Sequence, residues 1–222
     1  NDRIAAMGPA AADRLAKRWQ PRCQVVGDLM ADLSSSARSS APLPSGEWVA
    51  LLPGSKRAKL QVGMPFLLRC AEALRTLRPQ TQFLLALAPT TTVAELQAFA
   101  GPSNPLQRFY GTQEPELIEQ DGQRWLVSSG GARILLVEEH PAHGPLSQCA
   151  LALTTVGANT AELGALGVPM LVLLPTQHLH VMQAWDGWFG LVARLPLLRW
   201  LVAVSLPAWR LRNRGFLAWP NI

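Results

Sequence analysis

Four short apolar runs without polar alternation, at residues 48–52, 83–87, 151–155 and 170–174, constrain this chain more than any other feature. A strand with one face in water alternates apolar and polar residues, whereas a strand apolar throughout needs cover on both faces, and helices flanking a mainly parallel sheet supply it. The stretches between the runs have helical spacing. Phe66, Leu67, Cys70, Leu74 and Leu77 predict a helix over about 64–77, and shorter helical patterns fall at 93–99 and 159–166. Residues 124–128 and 134–137 read as a hairpin closed through Gly130 and Gly131. Upstream, 10–19 suits a helix and 23–27 a short strand. The expected fold class is α/β, a doubly wound Rossmann-like parallel sheet.

A break interrupts this pattern near the start. Residues 34–46 hold Ser34, Ser35, Ser36, Ser39, Ser40, Pro42, Pro44, Ser45 and Gly46, a composition that resists regular structure and marks a linker. The expected organisation is therefore 1–33 as the remnant of a preceding domain, 34–46 as linker, 47–190 as the main domain and 191–222 as a separate terminal segment. Asn1 at the start and Pro220, Asn221 and Ile222 directly after an apolar run predict that the sequence is part of a longer protein.

Charge singles out that terminal segment. The chain carries 20 Lys and Arg against 15 Asp and Glu, but its last acid is Asp186. The whole excess of +5 is Arg194, Arg199, Arg210, Arg212 and Arg214. Trp188, Trp200, Trp209 and Trp219 lie among them, half of the 8 tryptophans. A spanning helix needs about 20 apolar residues in succession, and Arg194, Pro196, Arg199 and Pro207 break the run. Arginine with tryptophan suits an anionic headgroup surface, so a membrane contact through 191–216 is expected; packing against another domain would suit the same residues. Zinc-finger spacing and RNA-recognition signatures are missing, and no nucleic-acid partner is expected. Cys23, Cys70 and Cys149 are odd in number and set among apolar neighbours, the usage of a reducing, cytoplasmic compartment.

Chemistry in an open parallel sheet belongs beyond the carboxyl ends of the strands, and two turns there stand out. Pro53, Gly54, Ser55, Lys56 and Arg57 follow the first apolar run: glycine permits close backbone approach, and either cation suits a phosphate. A plain surface turn would use the same residues. The second turn runs from Thr154 and Thr155 through Val156, Gly157 and Ala158 to Asn159, Thr160 and Glu162. Asn159 or Thr160 is expected to cap the following helix, leaving an anion site at its start, and Glu162 either accepts sugar hydroxyls or stabilises the helix start electrostatically. His178 and His180 follow the last run at the rim position, facing ligand or solvent; His140 and His143 have helical spacing but make a poor metal pair with Pro141 between them. No G-x-S-x-G elbow, phosphate-binding G-x-x-x-x-G-K-[ST] loop or G-x-G-x-x-G fingerprint occurs, which removes the main support for hydrolase, P-loop and classical dehydrogenase readings.

Taken in order, these turns resemble lipid-A-disaccharide synthase and its relatives, glycosyltransferases of the GT-B fold, in which two doubly wound domains enclose a cleft. Val26, Gly27, Ala31 and Asp32 match the family's V-G-x-x-x-A-D; residues 51–55 match L-L-P-G-S; Gly157, Thr160, Glu162 and Pro169 match G-T-A-T-L-E and the proline after it; Pro220 and Asn221 match L-P-N. The resemblance implies an inverting enzyme that moves a sugar from a UDP-sugar, of acylated glucosamine or N-acetylglucosamine type, to a lipid-linked acceptor. The chain would be mainly the nucleotide-sugar domain, working at the cytoplasmic side of the inner membrane with no metal or other cofactor. Gly54, Ser55 and Lys56 would approach the donor phosphates, with Lys56 or Arg57 as their stabiliser. Thr155, Gly157, Asn159, Thr160, His178 and Asn221 would complete the donor site, and Glu162 would hold the ribose. The family's general base belongs to its first domain, so this chain alone is expected to be inactive. Lys56 stands where the family has arginine, and Val156, Gly157 and Ala158 replace its S-G-T. A nucleotide-sugar epimerase and a non-catalytic nucleotide-sugar-binding or membrane-scaffold protein are the competing readings, and the oligomeric state, homodimer included, is left undetermined.

Overall fold

The computed structural model describes residues 3–27, 42–175 and 177. Within them, β1 (Ile4–Ala6), α1 (Pro9–Asp13) and β2 (Cys23–Val25) form a small unit whose two strands pair in parallel. The expected helix over 10–19 stops at Asp13. The Gln20 side-chain amide donates to the carbonyls of Asp13 and Leu15, at 3.3 and 3.1 Å, and takes up the carbonyls that end the helix.

The main body contains β3 (Trp48–Leu52), α2 (Arg57–Leu77), β4 (Gln82–Ala86), α3 (Val93–Ala100), α4 (Pro105–Tyr110), β5 (Glu116–Gln120), β6 (Gln123–Val127), β7 (Arg133–Val137), α5 (His143–Ser147), β8 (Leu151–Thr155), α6 (Asn159–Ala165) and β9 (Met170–Leu173). The seven strands lie in the order β5-β6-β7-β4-β3-β8-β9. Strands β7, β4, β3, β8 and β9 are mutually parallel, and β6 runs antiparallel to both its neighbours. The sheet is doubly wound, as expected. The chain moves from β3 to β4, out to the edge at β5 and back through β6 to β7 beside β4, then crosses to the other side of β3 for β8 and β9. The reversal lies between β3 and β8.

The apolar runs are continuous because each strand feeds two cores. Val49 and Leu51 of β3 face one cluster with Leu60, Met64 and Leu67 of α2 and Leu96 of α3. Trp48, Ala50 and Leu52 face the other with Leu146 of α5 and Leu163 of α6. Helix α2 starts seven residues before the expected 64, because its first turn, Arg57, Ala58 and Lys59, lacks apolar periodicity. Pro65 lies inside it and cannot donate to the carbonyl of Gln61. Asn104, buried at the start of α4, takes that role: its side-chain amide donates to Gln61 O and to Phe99 O, both at 2.7 Å, while its side-chain oxygen accepts from Leu106 N at 3.1 Å. Gly63 lets α2 lie against the end of β3, since a Cβ there would sit 2.6 Å from the Pro53 carbonyl oxygen.

The hairpin of β6 and β7 closes as expected through Gly130 and Gly131. Glu72 of α2 fixes it, accepting from Gly130 N at 3.0 Å, and Arg75 donates to Gly130 O at 3.2 Å. The end of the serine-rich stretch is tied down where it is described: Trp48 Nε1 donates to Pro44 O, and Leu43 N to Gln148 Oε1, both at 2.8 Å.

Candidate functional site

Beyond the carboxyl ends of β3, β4 and β7 lies a crevice of about 510 Å³. Its walls include Pro53, Gly54 and Ser55 from the turn after β3, Pro89 from the turn after β4, His140 from the segment after β7, and Asn159 and Glu162 from α6. The reversal of strand order between β3 and β8 opens it, because the chains leaving those strands diverge to opposite faces of the sheet. Two turns that lie about a hundred residues apart in sequence thus become neighbours, and the β3–β8 pairing of Leu52 with Thr154 fixes their offset.

Gly54 has a φ of +100°, a conformation an L side chain seldom adopts, so the turn that brings its backbone to the crevice depends on glycine. Ser55 and Lys56 are exposed beside it, and Lys56 in extended conformation is the residue from which α2 begins. Arg57 is directed elsewhere. Its guanidinium donates to Glu95 at 2.9 Å and lies 5.2 Å from the centre of the Phe99 ring, in a separate hollow of about 260 Å³ beside α3. The Thr92 backbone N–H foremost, with the Thr92 hydroxyl and Arg57, holds the Glu95 carboxyl below its ordinary range.

The second turn is more self-contained than the sequence implied. Helix α6 starts from Ala158, with no side-chain cap, so neither Asn159 nor Thr160 caps it. The Thr160 hydroxyl donates back to Gly157 O at 2.9 Å, and the first-turn amides of Thr160, Ala161 and Glu162 bond to Gly157 O and Ala158 O. Those three amides are thus engaged within the turn: the residue types that cap helices also form local turns, and at Thr160 the turn wins. Thr155, buried, donates from Oγ1 to Pro53 O at 3.3 Å and laces the two turns together. Asn159 and Glu162 do face the crevice.

Two further residues complete the arrangement. Lys59, in the first turn of α2, extends its side chain along the seam between the turns. Its Nζ donates to Val156 O at 2.6 Å; a Cβ on Gly157 would approach that Nζ to 2.8 Å, and a Cβ on Gly54 would meet the Lys59 stem at 3.0 Å. His143, buried at the start of α5, has Nε2 3.0 Å from Glu162 Oε1. Of the two histidines of the segment after β7, His140 faces the crevice while His143 lies against Glu162. No spacing rule relates Lys59 to Val156 or His143 to Glu162. What sequence signal existed was the glycines at 54 and 157, whose missing side chains make room for Lys59.

His178, His180, Pro220 and Asn221, together with Ala31, Asp32 and the 191–216 segment, lie outside the described residues. No helix among the described residues is long and apolar enough to cross a membrane.

No family model matches the chain. Among curated proteins it is similar to the lipid-A-disaccharide synthase of Alteromonas mediterranea, 31% identical over 122 residues that make up 49% of this chain and 31% of the relative. That of Anaeromyxobacter dehalogenans is 34% identical over 96 residues, 43% of this chain and 25% of the relative. That of Geobacter metallireducens is 25% identical over 179 residues, 78% of this chain and 39% of the relative. The chain therefore spans between a quarter and two fifths of the length of these relatives. Among solved structures, a putative UDP-N-acetylglucosamine 2-epimerase from Listeria monocytogenes superposes with a TM-score of 0.48 at 18% identity, over 80% of this chain and 43% of that one. The chain is thus similar in sequence, over part of its length, to curated lipid-A-disaccharide synthases, and its sheet is of the Rossmann-like α/β kind.

Proposed function

We propose that the crevice between the β3 and β8 turns binds the UDP moiety of a nucleotide sugar, and that the whole protein transfers the sugar, with inversion, to a lipid-linked acceptor. The observation that carries this is the meeting of Gly54 and Glu162 across one crevice at the point where strand order reverses. Its volume of about 510 Å³ falls in the range of small-ligand sites, about 300–1,000 Å³. A carboxylate has about four acceptor positions, so the His143 contact fixes one oxygen of Glu162 while the group keeps the capacity to accept both hydroxyls of a ribose. The turn after β3 then meets the diphosphate, with Ser55 and Lys56 at its edge.

The chemical contribution of this unit is to hold the donor and to stabilise the diphosphate as it leaves with its bonding electron pair. The acceptor hydroxyl attacks the sugar carbon from the opposite side, and its proton passes to a base that this reading assigns to another domain. Donor sugars of acylated glucosamine or N-acetylglucosamine type, independence from metal, and contact of 191–216 with an anionic membrane surface belong to the same proposal. They rest on the family resemblance and on composition.

Calorimetric titration of the chain with UDP and UDP-N-acetylglucosamine tests it. The expected result is binding by both, weakened at least about tenfold in Glu162→Ala, the scale of a lost hydrogen bond to a charged group. Equal affinity in the wild type and Glu162→Ala would overturn the assignment of Glu162. Turnover of UDP-N-acetylglucosamine to its epimer by the whole protein, without transfer to an acceptor, would replace transferase by epimerase.

A further inference from the structure

Lys56 and Arg57 are the cations the resemblance offers for the donor diphosphate, yet Arg57 is engaged with Glu95 and Phe99, and Lys56 stands exposed at the edge of the turn. The cation between the two turns is Lys59. We propose that Lys59 is the diphosphate-positioning residue of the crevice: its ammonium, anchored on the Val156 carbonyl, holds the β3 and β8 turns in register and places a positive charge behind both glycines.

Three observations carry this. The Nζ–Val156 O distance of 2.6 Å is that of a tight charge-assisted hydrogen bond, and it joins residues 97 positions apart in sequence. A Cβ on Gly157 would come within 2.8 Å of Nζ, and one on Gly54 within 3.0 Å of Lys59 Cβ and Cδ, so the side chain fills the seam behind both glycine backbones. Thr155 Oγ1 bonds to Pro53 O alongside, a neutral crosslink between the same two turns. Thr155 alone would tie the turns; Lys59 adds the charge. A half-buried ammonium loses less of its field to solvent than an exposed one, so at comparable distance Lys59 outweighs Lys56 as a source of positive potential for a bound diphosphate.

The inference rests on the UDP reading for the identity of the ligand, and the experiment separates the two. Wild-type chain, Lys59→Met, Lys59→Gln and Arg57→Ala are titrated calorimetrically with UDP, uridine and inorganic pyrophosphate, and each is melted thermally without ligand. Lys59→Met keeps the stem and loses donor and charge; Lys59→Gln keeps a donor toward Val156 O and loses only the charge. The expected result is a loss of about tenfold or more in UDP and pyrophosphate affinity in both Lys59 variants, uridine affinity unchanged, and Arg57→Ala within about twofold of wild type. UDP affinity retained in Lys59→Met, or rescued in Lys59→Gln, would overturn the charge assignment and leave Lys59 a structural strut. Equal loss for UDP and uridine would do the same. Pyrophosphate bound in a Lys59-dependent way without any added affinity from uridine would sustain this inference and refute the nucleotide reading. A wild-type chain that binds neither UDP nor pyrophosphate refutes both.

Discussion

Replacing Asn104 by alanine should destabilise the main body by about 3 kcal/mol, from three hydrogen bonds at about 1 kcal/mol each. The three are the donations to Gln61 O and Phe99 O and the acceptance from Leu106 N, and Asn104 is only 4% exposed, so water cannot readily replace them. The bond to Gln61 O exists because Pro65 lacks the N–H that would otherwise fill that carbonyl. Restoring that N–H with Pro65→Ala should therefore make Asn104→Ala cheaper, by about 1 kcal/mol. Urea unfolding of the wild type, both single variants and the double variant, followed by circular dichroism, measures this coupling directly. An equal cost of Asn104→Ala in the wild-type and Pro65→Ala backgrounds would refute the claim that Asn104 substitutes for the missing helical donor. The site is affected as well, since the same helix carries Lys59 and begins at the β3 turn.

Gly63→Ala should cost about 2 kcal/mol, within the range for overpacking, because its Cβ would meet the Pro53 backbone at 2.6 Å and push α2 off the turn; thermal melting reads the loss, and an unchanged melting temperature would contradict the close approach. Burial pushes the Cys149 thiol up to about 12. Alkylation by iodoacetamide near pH 8 should therefore spare Cys149 until denaturant is added, as mass spectrometry of the labelled chain will show. Thr81 foremost, then Arg78, bonds to Glu47 and holds its carboxyl below the ordinary 4.5. A lowered folded value stabilises the fold above the unfolded pKa and loses that contribution as pH falls through the folded one. Glu47→Gln should thus flatten the dependence of stability on pH below about 4.5, measured by urea midpoints across that range, while an identical slope in both proteins would contradict the pairing.

How much could be read beforehand varied with the physics of each element. Strands β3, β4 and β8 were legible because both of their faces are covered, which writes an unbroken apolar run into the chain, and β9 carries such a run although Leu171 is exposed at the sheet edge. Strand β5, with Glu116, Glu119 and Gln120 exposed at the sheet edge, carries no such run and gave no signal. Helices α4 and α5 are six and five residues long, too short for a periodicity to declare itself. In the site, the glycine turns and Glu162 stood out because their residue types are locally unusual. Lys59 did not, and His143 showed only as half of a weak metal pair, since each acquires its role only when β8 is laid beside β3 and α5 beside α6. The expected cap at Asn159 or Thr160 failed for a local reason: Thr160 turns its hydroxyl back to Gly157 O.

The roles given to Glu162 and Lys59 both depend on a nucleotide occupying the crevice between the β3 and β8 turns. Amide hydrogen exchange of the chain with and without saturating UDP probes that occupancy at its location, because it reports where protection arises as well as whether it does. Bound UDP should slow exchange in peptides covering 53–60 and 155–163, with the β5–β6 edge unaffected. Protection confined to the hollow beside Arg57 and Glu95, or no change in either turn under conditions where UDP is bound, would contradict a nucleotide in the crevice.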